Sequence, residues 1–504
     1  MYRKDNHHQL KFENFYLPFS GHLRSDNRWI ILAGQIPWHQ IEEAYGELFS
    51  EDNGCPALSA RIALGALLIK ERLGISDRET VEQIRENPYL QYFLGLMEYQ
   101  DKPLFDNSMM THFRKRFDKE ILSDINEKIV EAAMKDIENN DFCSSEGKKD
   151  ASDKDENEPP SNEGKLITDA TCTPADITYP TDLSLLNEAR EKSEEIIDAM
   201  HEPFAGVRRK PRTYRRKARK AYLAVAKQKK PGAKKIRKAI GQQLRYLKRN
   251  FGYIDRMAEE GLLLYLSKHL YRLLLVIKEL YRQQLWMYEN RTHSIAARIV
   301  SIYQPHVRPI VCGKVKSPVE FGAKVSISLV RGFSFVERID WDAYNESCDL
   351  IEQIERYRQR FGFYPESVHV DKIYRTRENR QFCKKHGIRM SGPPLGKPIE
   401  EAEELKAQRK LQHQDELDRI AVEGKFGQGK RRFSLARVMT KLAQTSEVSI
   451  VVSFIVMNLE KILTGVLSFL LFIWWRLLAM LRGAGLKHRK PRLSALTSAA
   501  WTSS

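Results

Sequence analysis

Three carboxylates are the residues of this chain whose types and positions could do chemistry. Asp169 and Asp371 each follow a short apolar run that predicts a buried strand, and Glu423 lies at the end of a long charged helix. Neighbouring strand ends would bring the three acids together. Converging carboxylates repel one another unless divalent cations neutralise them, and hard oxygen ligands suit Mg²⁺ or Mn²⁺. Two such ions about 4 Å apart would serve phosphodiester chemistry. Taken singly, each acid has a plainer alternative as the cap of a turn or helix.

The helix that carries Glu423 adds two cations at regular spacing. Arg419 precedes the glutamate by one turn and Lys430 follows it by about two, so all three can face one groove if the helix continues. Three glycines between Glu423 and Lys430 each weaken a helix by roughly 1 kcal/mol, which leaves a loop as the alternative position for Lys430.

Two nearby features have other interpretations. Residues 424–430 fit part of a phosphate-binding loop, but they follow a helix and precede Arg431 where Ser or Thr would bind Mg²⁺, so we expect no nucleotide cofactor. His369 lies among apolar residues of a predicted strand, which favours a packed histidine without a catalytic role.

An alternation of strands and helices must position these side chains. The predicted strands are 165–169, 319–330, 333–339, 367–370 and 388–391, and the predicted helices are 346–361, 377–386 and 399–422. This order predicts an α/β sheet. Residues 183–302 are helical in pattern throughout, and we expect them to project from the core after its first strand.

With these motifs in view, the chain resembles the insertion-sequence transposases of the DDE class, whose catalytic core is RNase H-like. The resemblance extends over nearly the whole chain to about Glu460. It rests on Thr168–Thr171 with the downstream Pro180–Leu183, on Val370–Tyr374, and on Arg419-x3-Glu423-x6-Lys430. It implies an α/β fold, an RNase H-like mixed sheet flanked by helices, with an all-α N-terminal domain and a large helical insertion in the catalytic domain.

The resemblance also implies roles for individual residues. Asp169, Asp371 and Glu423 would form the catalytic, metal-binding triad and hold two Mg²⁺ ions, for which Mn²⁺ can substitute. The DNA contacts that it implies near the cut are those of Tyr374, at the family's aromatic position after the second acid, Arg419 and Lys430.

Two features depart from the family's pattern. Glu416 stands three positions before Arg419, where the family has a tyrosine, so a tyrosine contact to DNA is not expected there. The spacing is also reversed, because the long interval lies between Asp169 and Asp371 and the short one between Asp371 and Glu423, whereas many relatives carry their large insertion before the glutamate.

The whole excess of positive over negative charge lies in one segment of this insertion. The chain has 83 Lys and Arg against 66 Asp and Glu, yet residues 208–249 contain 19 of the basic residues and no acid. Such a run predicts a polyanionic partner, with RNA and a membrane surface as rivals to DNA. Residues 208–220 have almost no apolar face, which disfavours the membrane. The predicted DNA-binding residues here are Arg208, Arg209, Lys210, Arg212, Arg215 and Arg216.

The chain divides by composition into four predicted segments. They are a helical N-terminal DNA-binding domain (1–135), an acidic disordered linker (136–164), the catalytic domain (165–460, with the basic helical insertion at about 183–302), and an apolar segment with a disordered basic and Ser-rich tail (461–504). In the first segment, residues 108–117 resemble the last helix of a helix-turn-helix, and we predict that Arg114 and Arg116 contact DNA. The plainer alternative is a packing unit.

Composition also bounds the compartment. Six scattered cysteines without a CxxC pair support neither a disulfide scaffold nor a zinc module, and the polar N-terminus lacks a signal sequence. The uncharged run 462–475 is shorter than a bilayer span and predicts a buried helix or strand pair. We therefore expect a cytoplasmic, nucleoid-associated protein without a membrane partner.

These features together predict a DNA transposase that binds the terminal inverted repeats of its element and a target DNA, as a homodimer in the DNA complex. Strand cleavage would expose a 3′ hydroxyl, which then attacks target DNA by transesterification, without a covalent enzyme intermediate. The alternative is a catalytically inactive, transposase-derived DNA-binding protein.

Overall fold

A computed structural model describes residues 11–49, 56–144, 161–311, 318–393 and 402–481. The predicted linker lies largely outside these ranges, and the predicted tail from Lys487 onward lies wholly outside them. The chain forms two compact units, Met1–Asn458 and Leu459–Ser504. The elements described below belong to the first unit unless stated otherwise.

The first part of the chain is all-helical, as predicted. Its helices are α1 (Arg28–Gln35), α2 (Trp38–Gly46), α3 (Ala60–Leu73), α4 (Asp77–Glu86), α5 (Pro88–Phe93), α6 (Met109–Arg116) and α7 (Lys119–Ser144). Ser59 and Ser76 cap α3 and α4 with their side chains, and Gly74 ends α3 in the left-handed conformation. The predicted domain boundary at residue 135 falls inside α7 and stays a prediction.

The insertion is a second helical group with its own core. It comprises α8 (Asp182–His201), α9 (Arg215–Ala226), α10 (Ala233–Glu259) and α11 (Lys268–Glu289). Side chains from α8, α10 and α11 interlock at its centre, among them Leu186, Ile196, Leu247, Ile254, Ile277 and Leu280. Thr181 caps α8, and Asp182 accepts hydrogen bonds from Arg298 (2.7 Å) and Gln284 (2.9 Å). These contacts tie the start of the insertion to its end.

The remaining elements, which lie before and after the insertion in the sequence, form a mixed sheet flanked by helices. Its strands are β1 (Lys165–Pro174), β2 (Arg308–Val311), β3 (Val319–Val330), β4 (Phe333–Asp340), β5 (Ser367–His369) and β6 (Arg389–Met390), and its helices are α12 (Leu350–Phe361), α13 (Arg377–Lys385), α14 (Ala402–Arg432) and α15 (Ala443–Leu481). The strand order is β2-β3-β1-β5-β6, with β4 also paired to β3. β3 runs antiparallel to its partners, whereas β1, β5 and β6 are parallel. The predicted α/β class is therefore confirmed, and β2 is a strand that the sequence did not indicate.

One glycine makes the pairing of β1 and β3 possible. Gly322 lies opposite Pro174, where an added Cβ would overlap the Thr173 carbonyl oxygen and stand 2.7 Å from the Pro174 Cα. Backbone atoms cannot move aside as side chains do. We expect Gly322→Ala to lower the free energy of unfolding by about 2 to 4 kcal/mol, measured by urea denaturation. Gly252→Ala is the control, because that helical glycine has nothing near its missing Cβ and should gain about 0.5 to 1 kcal/mol.

A half-buried histidine lies where the insertion returns to the sheet. The His306 ring packs edge-on against Trp341 at 4.4 Å, and burial, aided by the charge of Arg308, lowers the pKa of His306 to about 4. Because this pKa is below the ordinary 6.5, the stability that depends on neutral His306 is complete above pH 6.5 and is lost as the pH falls toward 4.

We therefore expect His306→Phe, which keeps an aromatic ring against Trp341, to flatten the pH dependence of stability. The difference between pH 7 and pH 4 should shrink by up to roughly 3 kcal/mol, read from urea unfolding at stepped pH. An unchanged slope in the variant would contradict the assignment.

The last helix, α15, contains the apolar run 462–475. Its portion Ala443–Val466 is long and apolar enough to cross a membrane, but 72% of the apolar window is buried in the protein, as in the core helix of a globular domain. Within the first unit, Asn458 of α15 accepts hydrogen bonds from the Ser334 N–H and hydroxyl, both at 2.9 Å. This part of α15 is therefore a core helix of the sheet domain.

Candidate active site

The register of two parallel strands places Asp169 beside Asp371. β1 and β5 pair Lys165 with Ser367 and Ile167 with His369, so partners on the two strands differ by a constant interval in the sequence. The two aspartates differ by that same interval, and the register continued beyond His369 therefore sets them side by side. The predicted convergence of strands is thus present. One detail was wrong, because β1 does not end at Asp169 but continues to Pro174 through its pairing with β3.

Buried hydrogen bonds fix the strands on which the aspartates stand. The Thr168 hydroxyl donates to the Ile327 carbonyl at 3.0 Å and also contacts Gln353 of α12. The Val370 N–H donates to the Ser391 hydroxyl at 3.1 Å. Each aspartate accepts a hydrogen bond from the next backbone N–H, at 2.8 Å for Asp169 and 2.7 Å for Asp371. The carboxylate positions are therefore determined by backbone geometry.

Arg419 of helix α14 connects the third acid, Glu423, to Asp371. The Arg419 guanidinium lies 3.2 Å from an Asp371 oxygen and 3.5 Å from a Glu423 oxygen. Asp371 and Glu423 are more than half exposed, at 52% and 59%, so the group faces solvent. α14 continues through all three glycines to Arg432, which places Lys430 on the same helix. The alternative of a loop at Lys430 was wrong.

Asp169 is the most buried of the three acids, and burial raises its pKa to about 6. The N–H of Ala170 and the charge of Arg419 act in the opposite direction, while the charges of Glu346 and Asp371 raise the pKa further. A carboxylate in such surroundings is stabilised in its ionised form by any added positive charge.

Glu346 is a fourth acid in this neighbourhood that sequence reasoning missed. It lies in a turn before α12, where its carboxylate is 2.7 Å from the Lys324 ammonium. Asn379 holds this turn against the one after Asp371 by donating to the carbonyls of Ser347 and Tyr374, both at 2.8 Å. An acid near the start of a helix is common, so its position in the sequence gave no distinctive signal.

Tyr374 is not placed to contact DNA, contrary to the prediction. Its side chain is fully buried, and its hydroxyl has no hydrogen-bond partner among the described residues. Burial, followed by the charges of Glu346 and Asp169, raises the pKa of Tyr374. The ring therefore lies buried beside the acidic site.

Arg114, predicted to contact DNA from the N-terminal helices, is also misplaced for that role. It is only 5% exposed and forms an ion pair with Asp77 of α4, so it fastens α6 to α4. Arg116 is exposed and lies over the Phe49 ring at 4.1 Å. The packing-unit alternative fits Arg114, and the contact predicted for Arg116 stays a prediction.

The basic segment 208–249 is partly neutralised by acids from the neighbouring parts of the insertion. Arg208 pairs with Glu260, and Asp198 pairs with both Lys210 (2.5 Å) and Arg215 (2.7 Å). The predicted contacts Arg209, Arg212 and Arg216 are exposed, and Arg212 lies over the Tyr214 ring at 4.6 Å.

An exposed group on α9 forms no ion pair within the described part of the chain. We name it the α9 basic face, and it comprises Arg216, Lys217, Arg219 and Lys220. Ala218 and Val225 of the same helix are buried, so these four cations point away from the bundle core. A compact group of exposed positive charge therefore remains on the insertion.

The residues present fit hard divalent cations. Asp169, Asp371 and Glu423 offer only carboxylate oxygens, which Mg²⁺ and Mn²⁺ prefer, and they include no thiolate or imidazole that would favour zinc. The glycine-rich run 424–430 is helical, not a phosphate-binding loop, and His369 is buried on β5 as predicted.

A mixed sheet with one acid on β1, a second just after the parallel strand β5 and an acid-bearing helix beside them is consistent with a DDE transposase fold. Residues 368–460 match the model of the transposase DDE domain, and residues 18–116 match that of a transposase domain (DUF772). Together these matches indicate an insertion-sequence transposase of the DDE class. The first range includes Asp371, Arg419, Glu423 and Lys430, whereas Asp169 and the helical insertion lie outside both ranges.

The chain is also similar to a curated protein over part of its length. Over 103 residues the chain is 40% identical to "Uncharacterized protein ORF8 in nfe locus" of Rhizobium meliloti, a match that covers 20% of this chain. The match spans 49% of that protein, about half its length. No solved structure matches the chain.

Proposed function

We propose that the protein is a DNA transposase that binds the ends of its insertion sequence and catalyses metal-dependent strand cleavage and strand transfer. One observation carries the proposal: the register of β1 and β5, continued past His369, sets Asp371 beside Asp169, and Arg419 links Asp371 to Glu423. The matches to transposase families support the same conclusion for DNA as the substrate.

Asp169, Asp371 and Glu423 would hold two Mg²⁺ ions, or Mn²⁺ in their place. Bound there, such ions would favour deprotonation of the attacking oxygen and neutralise charge on the leaving oxygen. The protein's part is to keep the three carboxylates close together, which the strand register and the contacts of Arg419 support, and the charge of Arg419 favours the ionised form of Asp169.

Other residues would hold the DNA. Arg419 faces solvent beside the acids and can donate its remaining N–H groups to a phosphate near the cut, with Lys430 further along α14. The α9 basic face would bind phosphates outside the site, in a manner independent of sequence.

Two reactions would use this one site. In the first, water attacks a phosphorus atom at the element end, a P–O bond forms, and the bond to the 3′ oxygen breaks to release a 3′ hydroxyl. In the second, that hydroxyl attacks a target phosphate and displaces a different 3′ oxygen. Each step exchanges one P–O bond for another, so strand transfer needs no nucleotide hydrolysis. We expect a homodimer to bring two ends together.

The test uses purified protein, Mg²⁺ and a linear DNA that carries the element's own terminal inverted repeats. We expect strand breaks with 3′ hydroxyls at the element boundary, joined products on addition of target DNA, and loss of both with a chelator. Tight, salt-sensitive binding without cleavage in Mg²⁺ or Mn²⁺ would instead favour the catalytically inactive DNA-binding protein.

A further inference from the structure

The face of α14 that meets the sheet is charged upstream of Arg419. Asp415 is only 6% exposed, and both of its oxygens accept hydrogen bonds from the Arg389 guanidinium of β6, at 2.8 and 2.9 Å. Asp418 lies 2.6 Å from the Lys165 ammonium of β1. Two ion pairs therefore connect one helix to two strands.

A histidine on the strand between them completes the cluster. His369 of β5 is fully buried, with Nδ1 3.5 Å from an Asp415 oxygen and 4.0 Å from an Asp418 oxygen. Its Nε2 lies 3.0 Å from the Ser367 hydroxyl. β1, β5 and β6 thus each direct one polar side chain at the same turn of α14.

The types and spacing of His369, Asp415 and Asp418 would also suit a metal ion, since their ligand atoms lie within 4.8 Å of one another. The partners argue against this. Arg389 and Lys165 already neutralise the two carboxylates, and a divalent cation would add two positive charges beside two cations at a largely buried site. Arg389 and Lys165 balance the charges of the two aspartates, so an ion-pair cluster is the better interpretation.

We propose that Lys165, His369, Arg389, Asp415 and Asp418 form a latch that fixes the rotation and axial position of α14, and so holds Arg419 and Glu423 against Asp371. This inference rests on the proposed function of the same site. Asp415, Arg419 and Glu423 follow one another at intervals of four along one stripe of the helix. A shift of α14 by one position would turn that stripe by about 100° and remove Glu423 from the site.

The chemistry of the latch suits a positioning role. An apolar contact tolerates sliding, whereas a guanidinium that donates two parallel hydrogen bonds to one carboxylate fits a single geometry. Helix α14 also carries exposed apolar residues, including Leu411, Leu417 and Ile420, so apolar burial alone defines its orientation weakly. The five latch residues are positioning residues, because their ion pairs and hydrogen bonds in the described part of the chain do not involve the three acids of the site.

The test compares full-length variants in three measurements: cleavage against Mg²⁺ concentration, DNA affinity, and hydrogen exchange of α14. We expect Asp415→Asn to slow cleavage by about 10- to 100-fold and to raise the Mg²⁺ concentration for half-maximal cleavage about tenfold. DNA affinity should change less than twofold, and exchange should increase in α14 alone. The double variant Arg389→Asp with Asp415→Arg should recover most of the lost rate.

The control is Glu194→Gln. It neutralises an equally buried carboxylate, which forms an ion pair with Arg190 in the insertion. It should leave the Mg²⁺ requirement unchanged. If Asp415→Asn does not fold, Lys165→Gln gives the same readouts from the more exposed pair, since Lys165 is 49% exposed.

The outcomes separate the two proposals. Increased α14 exchange in Asp415→Asn, with no cleavage by the unmodified protein, would support the latch and overturn the proposed function. Normal cleavage by the unmodified protein, with an unchanged Mg²⁺ requirement and unchanged α14 exchange in the variants, would overturn the latch. Calorimetric binding of Zn²⁺ or Mn²⁺ that Asp415→Asn abolishes and Asp371→Asn spares would also overturn it in favour of a metal site.

Discussion

Replacing Asp371 by Asn is expected to reduce Mg²⁺-dependent strand cleavage by at least about 10³-fold while leaving DNA affinity within a factor of two. The substitution keeps the shape of the side chain and removes the charge that would hold a divalent cation. Loss of a residue that only supports a metal ligand typically costs about 10- to 100-fold, so loss of a ligand should cost more. The measurement is single-turnover cleavage of an end-labelled element end, with affinity read by fluorescence anisotropy.

The position of Asp371 makes this experiment clean. Its side chain is half exposed and lies at a strand end, so the fold does not depend on burying it. The matched control is Asp342→Asn, an exposed aspartate that pairs with Arg308 and not with Arg419, and this variant should cleave normally. Cleavage by Asp371→Asn at the unmodified rate would exclude Asp371 from the catalytic site, and a parallel loss of DNA affinity would show that its role is in binding.

Whether the sequence predicted a part of this site depends on how far apart in the sequence the contacting residues lie. Local signals sufficed for every described strand except β2, for the helix that carries Arg419 and Glu423, and for the expectation that the acids meet. The exact pairing was beyond them, because the whole insertion lies between β1 and β5 in the sequence. The prediction that the strand ends at Asp169 was wrong, because the last part of β1 is a strand only through its pairing with β3. In the sequence β3 comes after the whole insertion, so local signals could not reveal this pairing.

The wrong assignments share a physical cause, which is a partner distant in sequence. Arg114 lies in a segment whose sequence is typical of an exposed recognition helix, yet its side chain forms an ion pair with Asp77 of α4. Tyr374 comes shortly after an exposed aspartate, yet its side chain is fully buried and close enough to Glu346 and Asp169 to feel their charges. In each case the residue type was correct for the predicted role, and tertiary packing decided against it.

The glycines of α14 show the same effect on local structure. Propensity disfavours a helix over 424–430, but Gly429 packs so closely that an added Cβ would stand 2.6 Å from a Leu435 methyl and 3.4 Å from the Met457 sulfur. Here the small residue permits close packing against the following segment and α15. Packing therefore offsets a propensity cost of roughly 1 kcal/mol per glycine and keeps Lys430 on the helix with Glu423.

The charge of the insertion gives the second large prediction. Neutralising the α9 basic face with Arg216→Gln, Lys217→Gln, Arg219→Gln and Lys220→Gln should weaken DNA binding by about 10³-fold at about 0.1 M salt. Each phosphate contact contributes about 0.9 to the slope of log affinity against log salt, so the slope should become shallower by about 3 to 4. Titrations between about 0.05 and 0.4 M salt measure both quantities.

A second quadruple variant separates this expected loss from an effect of net charge alone. Lys135, Lys192, Lys278 and Arg282 are each paired with an acid at 2.6 to 2.7 Å, and changing all four to Gln removes the same charge. Because those cations are already neutralised within the protein, they would release few counterions from DNA, and the slope should change by less than about 1. Equal losses in the two variants would mean that the protein attracts DNA only through its overall field. A loss confined to the α9 face would identify that face as a DNA contact surface, and it would explain why nineteen cations without an acid accumulate in a segment inserted between the first two carboxylates of the site.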